Sequence, residues 1–233
     1  MTSSKIAENL TRLNEAIHNA ATKANRDINN IRLVAVSKKF PIEAIREALA
    51  AGHNLFGENY VQELQEKAPP LKNQCAFHFI GHLQSNKVKP VAENCRMIET
   101  VDRLKLAQRL ENHLQSLHRK IDGLIQVNIG REPQKSGVHP ENLEKLFKQM
   151  TEFEHLRVCG LMTIPPYNES AEASRPYFRE LRQLAEKMQA RGHFSKNEAP
   201  ELSMGMSGDF HIAIEEGATI IRVGTAIFGA RDF

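Results

Sequence analysis

The lysine that ends an apolar run is the residue of this sequence with the most chemistry open to it. Lys38 follows Leu33-Val34-Ala35-Val36-Ser37. Strand side chains alternate, so Lys38 shares a face with Val34 and Val36. If that face lines a barrel, the amine emerges at the carboxyl-end rim, where barrel active sites lie. A lysine partly removed from water has a lowered pKa and becomes a nucleophile for aldehydes. A solvated lysine starting a loop is the competing reading, and position alone favours it.

Two later segments change that balance. Ser203-Met204-Gly205-Met206-Ser207-Gly208-Asp209 ends a β-rich run and enters a helix, and Arg222-Val223-Gly224-Thr225 ends another. Small residues there let backbone N–H groups approach an anion. In barrels, phosphate sites often form from the loops after strands seven and eight, and closure sets strand eight beside strand one. A pair of tight strand-to-helix turns is the plainer reading. Ile221 and Val223 face the outer helices, which turns Arg222 inward with Ile220 and Gly224. A buried guanidinium needs an acceptor. A structural carboxylate and a ring nitrogen of a bound cofactor both satisfy that need.

Other constellations carry less. His78 and His82 stand four apart, but Phe79-Ile80-Gly81 between them reads as strand and turn, without H-E-x-x-H, so no metal site is expected. Gln134-Lys135-Ser136-Gly137 lacks phosphate-loop spacing, and neither G-x-S-x-G nor G-x-G-x-x-G occurs. Cys75, Cys95 and Cys159 form no C-x-x-C, which points away from a disulfide framework or structural zinc and towards a reducing compartment.

The elements that must position these residues alternate. An opening amphipathic helix carries Ile6, Leu10, Leu13 and Ile17 at helical spacing. β-Rich runs follow at 32–37, 54–57, 76–81, 97–101, 123–129, 157–164, 201–206 and 219–223. Helical stretches between them are expected near 41–51, 59–67, 86–93, 102–118, 140–150, 171–191 and 209–216. Pro41 opens the first of these and Gly52 closes it, while Pro69-Pro70 stops the second. Such alternation implies a parallel sheet with both faces covered. Eight units favour one α/β domain over 1–233, a TIM-type (β/α)₈ barrel with an extra N-terminal helix. A doubly wound open sheet is the competing architecture.

Composition sets the outer bounds. The chain has 233 residues, 31 basic against 28 acidic, giving +3. That charge is too small to argue for nucleic acid, and the short basic groups read as solvated helix faces. No apolar run reaches the ~20 residues that span a bilayer, and the amphipathic start is unlike a signal peptide, so a cytoplasmic, membrane-free protein is expected.

Several stretches, in order, resemble the pyridoxal 5′-phosphate (PLP) homeostasis protein family over nearly the whole chain. They are Leu33–Lys38, Phe56–Glu63, His78–Lys87, Gly160–Pro165, Leu202–Ser207 and Arg222–Gly229. The resemblance implies a barrel like the N-terminal domain of alanine racemase, with PLP in imine linkage to Lys38. It implies that Ser207 and the backbone of Gly224 and Thr225 hold the phosphate and that Arg222 faces the pyridine nitrogen. Asn59, His78, Met162 and Ser203, each from a matching stretch, join the expected cofactor-binding residues; no catalytic residue is assigned. Two departures are visible. Phe77 stands where the family commonly has Trp, and Ser207-Gly208-Asp209 replaces Ser-Asp-Asp, which leaves the role of Asp209 open.

Two functions then compete. One is a monomeric PLP carrier acting in intracellular PLP homeostasis by storage and delivery, with apo-enzymes as recipients and effects on amino-acid and keto-acid metabolism. The other is a PLP-dependent enzyme such as an amino-acid racemase. Racemisation needs acid/base groups on both faces of the substrate. Alanine racemases draw the second from a tyrosine of a further β-rich domain, and this sequence ends at Phe233, soon after its eighth run. Tyr60, Tyr167 and Tyr177 offer no evident replacement. A guanidinium that stays protonated also leaves a ring nitrogen unprotonated, a poorer electron sink. The carrier is therefore the expected function.

Overall fold

Apolar strands separated by helices must be covered on both faces, and this chain meets that demand by closing its sheet on itself. The computed structural model describes residues 4–167, 170–194 and 198–230. Its strands are β1 (Arg32–Val36), β2 (Leu55–Glu58), β3 (Ala76–Phe79), β4 (Met97–Val101), β5 (Ile121–Gln126), β6 (Leu156–Met162), β7 (Glu201–Ser203) and β8 (Ile220–Val223). They pair in chain order as a closed barrel. The open-sheet alternative fails at the seam, where β1 lies parallel to β8 with Val34 opposite Arg222 and Ala35 opposite Val223.

Helix α1 (Lys5–Lys23) precedes the barrel. One helix follows each strand: α2 (Ile42–Ala50), α3 (Val61–Lys67), α4 (Val88–Asn94), α5 (Leu104–Ser116), α6 (Leu143–Gln149), α7 (Arg175–Ala190), α8 (Phe210–Glu215) and α9 (Thr225–Phe228). The short α9 has no counterpart among the elements expected from the sequence. Boundaries also move. Pro41 caps α2 instead of entering its first turn. Strand β5 starts at Ile121 and stops at Gln126, with Val127 making only an isolated bridge to Val138. Strand β7 ends at Ser203 because the chain turns at Gly205 with φ +92°; a Cβ there would lie 2.6 Å from Ala213 Cβ.

Strand alternation divides the core in two. Ala35, Phe56, Phe79, Ile98, Ile125, Leu161, Leu202, Ile221 and Val223 point outward and pack beneath the helices. Val34, Met97, Leu124, Met162 and Ile220 fill the barrel interior. Fully burying one such side chain stabilises the fold by about 1.5–3 kcal/mol. Helix α1 buries Leu10, Leu13 and Ile17 and packs on α2, α8 and α9 across the seam. Asn9 Nδ2 donates to the carbonyl of Ile227 at 2.8 Å, and Arg26 donates to the carbonyls of Ile214 and Ala218. The approach to β8 and the helix after it are thereby held from outside. No helix of the described residues is long and apolar enough to cross a membrane.

Candidate functional site

The inward face of β1 runs Val34, Val36, Lys38, as alternation requires. Val34 is in the interior cluster, while Val36 and half-buried Lys38 line a cavity of about 260 Å³ at the carboxyl-end mouth. Asn59, Ile80, Ile164, Met206, Ser207, Gly208, Arg222, Gly224 and Thr225 complete the lining. Ligand pockets commonly run to roughly 300–1,000 Å³; at about 260 Å³ this one lies just below that range, which restricts it to a small molecule.

Each wall has a local cause. Asn59 follows β2 and is pressed against Gly81, where any Cβ would come within 2.2 Å of the Asn59 carbonyl oxygen. The Asn59 Oδ1 is buried without a hydrogen-bond partner. The loop after β7 is tied by Asp209, whose Oδ1 accepts the Met206 N–H at 2.7 Å. That contact gives Asp209 a structural role at one of the two places where the sequence departs from the family pattern. Across the mouth, Thr225 Oγ1 donates to Ser207 Oγ at 3.1 Å, joining the loops after β7 and β8. The Ile227 and Phe228 amides of α9 donate to the Gly224 carbonyl, while those of Thr225 and Ala226 precede any intrahelical acceptor, and Gly208 leaves open space where a side chain would stand.

Arg222 forms the floor. Its Nη2 donates to the Thr163 carbonyl at 2.9 Å and its Nη1 to Ser203 Oγ. Ser203 Oγ in turn donates a hydrogen bond to Glu99 Oε2, and His78 Nδ1 donates to Glu99 Oε1 at 2.6 Å. Glu99 lies 3.8 Å from Arg222. Burial pulls the Arg222 guanidinium below its ordinary value, against the attraction of Glu99 and Asp209. Burial also pushes Glu99 up, but its contacts with His78, Arg222 and Ser203 outweigh that and hold it below the usual carboxylate range. Both expected partners of Arg222 are thus accommodated: a structural carboxylate on one side, a ligand cavity on the other.

Six of the nine residues singled out from the sequence line the cavity: Lys38, Asn59, Ser207, Arg222, Gly224 and Thr225. His78, Met162 and Ser203 do not. They are buried inside the barrel, Met162 in the apolar layer and the other two in the chain of hydrogen bonds that reaches Arg222. Sequence reasoning missed Glu99, which shares no motif with the rest; an acidic residue inside the β-rich run 97–101 was the available signal. His78 and His82 diverge, the latter meeting Ser136 Oγ at 2.9 Å. Lys135 donates to the Pro165 carbonyl at 2.9 Å and pairs with Glu132, outside the cavity lining. Burial pushes the Cys75 thiol up to about 11 and Cys159 to about 12, so neither is a thiolate near neutral pH.

An amine, a guanidinium, a pair of hydroxyls beside open backbone amides and an orphaned carboxamide oxygen suit a small anionic aldehyde with a polar ring. PLP fits that donor set. Comparison with known proteins points the same way. The model of the alanine racemase N-terminal domain family matches residues 5–232. The pyridoxal phosphate homeostasis protein of Aquifex aeolicus is 45% identical over 227 residues, covering 97% of this chain and 98% of that protein. PipY of Synechococcus elongatus, solved with PLP bound, superposes with a TM-score of 0.83 at 36% identity, covering 97% of this chain and all of PipY. Alanine racemase from Corynebacterium glutamicum shares the fold, with a TM-score of 0.68 at 18% identity over 98% of this chain and 61% of its own.

Proposed function

The chain belongs to the pyridoxal phosphate homeostasis proteins, a family on the alanine racemase N-terminal domain, and we propose that it binds PLP at the barrel mouth through Lys38, storing and delivering the cofactor within the cell. When bound, PLP supplies an aldehyde carbon for a primary amine and a ring that accepts electron density. Lys38 presents the amine. Ser207 and Thr225, with the backbone of Gly224 and Thr225, take the phosphate. Arg222 offers donors and a fixed positive charge to the ring nitrogen, and Asn59 offers its unpartnered oxygen to a polar ring substituent. Val36, Ile80, Ile164 and Met206 shield the attachment point from water. His78, Glu99 and Ser203 hold Arg222 from beneath.

One observation carries the carrier reading over an enzyme. Among the described residues that line the cavity, Lys38 is the only side chain with an acid–base group besides the permanently protonated Arg222. A racemase needs a second such group on the opposite face. Tyr60 and Tyr167 are exposed on the surface and Tyr177 packs in the outer core. Arg222 stays protonated, so it cannot relay a proton, and no carboxylate lines the cavity to hold a proton on a ring nitrogen. Attachment through Lys38 is reversible by water or an incoming amine, which suits delivery to PLP-dependent apo-enzymes. Altered supply to those enzymes links the protein to amino-acid and keto-acid metabolism.

Borohydride reduction and peptide mapping test the assignment. PLP should be fixed on Lys38, and Lys38→Ala should lose the visible band while melting within a few degrees of the unaltered protein, since a rim lysine is outside the core. Fixation chiefly on Lys39, Lys87 or Lys135 would refute it.

A further inference from the structure

An amine that must meet one carbon atom needs its backbone held, because small misplacements of reacting groups slow reaction steeply. The turn carrying Lys38 is gripped from outside the barrel. Lys39 has φ +64°, a left-handed conformation that a non-glycine residue keeps only where its surroundings impose it. Its N–H donates to Glu63 Oε2 at 2.7 Å. On the other side of Lys38, the Ser37 carbonyl accepts from Lys67 Nζ at 2.9 Å, and Ser37 Oγ donates to Glu58 Oε1 at 2.7 Å. Lys67 Nζ closes the set, reaching Glu58 Oε1 at 2.8 Å and Glu63 Oε2 at 2.5 Å. Glu58 ends β2 and the other two lie on α3, so one cluster from the neighbouring βα unit holds the backbone immediately before and after the amine-bearing residue. Lys67 is buried to 5% exposure beneath that turn, where a long charged side chain is rare unless paired.

We propose that Lys67, Glu63 and Glu58 are positioning residues that set the approach of the Lys38 amine to an aldehyde. The inference rests on the reading of Lys38 as the attachment point for PLP. In that condensation the Lys38 nitrogen bonds to the aldehyde carbon. The carbon–oxygen double bond becomes a carbon–nitrogen double bond, and the oxygen leaves as water with the two hydrogens of the neutral amine. The clamp acts on this step. It does not touch the groups that take the phosphate and ring.

Pyridoxine 5′-phosphate, which carries an alcohol in place of the aldehyde, separates the two. Condensation of PLP is followed by stopped-flow absorbance and pyridoxine 5′-phosphate binding by calorimetry, on the full chain. Glu63→Ala should slow condensation at least about tenfold while leaving pyridoxine 5′-phosphate affinity within about twofold. Glu63→Gln, whose amide oxygen still accepts the Lys39 N–H, should recover most of the rate. Glu63→Asp, one methylene short, gives the same contrast should the alanine variant fail to fold. An unchanged condensation rate would overturn the clamp, as would equal losses for both ligands, which would signal general distortion of the mouth. Absence of borohydride-fixed PLP on Lys38 in the unaltered protein is a separate result, which removes the functional reading and the clamp with it.

Discussion

Glu58 and Glu99 are both completely buried, yet their surroundings drive them in opposite directions. Glu58 lies between the sheet and α3, where burial pushes its carboxyl up and Lys67 and Ser37 only partly offset that. Its Oε1 is bonded, but its Oε2 is buried without a partner. Glu99 lies inside the barrel with both oxygens bonded, one to His78 and one to Ser203, and a guanidinium nearby. Burial therefore does not decide which form a carboxyl keeps; the count of satisfied oxygens and nearby cations does. The interior cluster ends on a cavity-lining side chain, Arg222. The outer cluster ends on backbone groups around Lys38.

The largest effect should come from removing the better-satisfied carboxylate. Glu99→Leu leaves His78 and Ser203 buried without their shared acceptor and Arg222 without its buried counter-charge, and should cost about 3–5 kcal/mol in urea unfolding at neutral pH. A loss under about 1 kcal/mol would show that the interior cluster is not held by its charge. Arg222→Gln is expected to cost less, about 1–3 kcal/mol, because Glu99 keeps His78 and Ser203. PLP should still reach Lys38 in that variant, since neither the amine nor the phosphate loops are altered. The visible band and its titration should shift, and an unchanged spectrum would remove Arg222 from the ligand's surroundings.

The smallest effect tests the opposite signs. Glu58 has a folded value above its unfolded value of about 4.3. Its contribution is therefore full below that pH and is lost as pH rises through the folded value. Glu99 has a depressed folded value, so its contribution is present above about pH 4.3 and is lost as pH falls through it. Glu58→Gln should change stability by about 1 kcal/mol or less at pH 8 and should gain on the unaltered protein as pH rises from about 4.3. Thermal melts across pH 4–8 check this, and a variant that instead loses ground towards pH 8 would reverse the assignment.

Much of the architecture was legible because periodicity reports burial. The alternation of β-rich and helical runs named all eight strands and the helix before them, and the inward face of Val34, Val36 and Lys38 follows from the pleat alone. The same parity set Ile221 and Val223 outward and Arg222 inward. Boundaries were less legible where a turn competes with the run: β7 reads on to Met206 by residue type, but Gly205 leaves the strand first. At the site, motif stretches supplied the six cavity residues, yet they could not separate those from His78, Met162 and Ser203. Depth along a strand within a barrel depends on tilt and register between strands, which no single run encodes.

By itself the sequence determined the eight-unit parallel α/β alternation, the shared face of Val34, Val36 and Lys38 on the first strand and the small-residue turns after the last two, while barrel closure was settled by the pairing of β1 with β8. Local pattern suffices for the first three, since pleat, helix period and turn chemistry act over a few residues. Tertiary structure alone decided the partners. Glu99 meets Ser203 across 104 positions and Ser203 meets Arg222 across 19, while Lys67 and Glu63 reach the backbone beside Lys38 from a separate βα unit. Such contacts form because barrel closure brings distant strands side by side and burial then favours arrangements in which charges and polar groups find an acceptor or donor within reach. Which groups come within reach is set by the closed geometry, and no spacing along the chain records it.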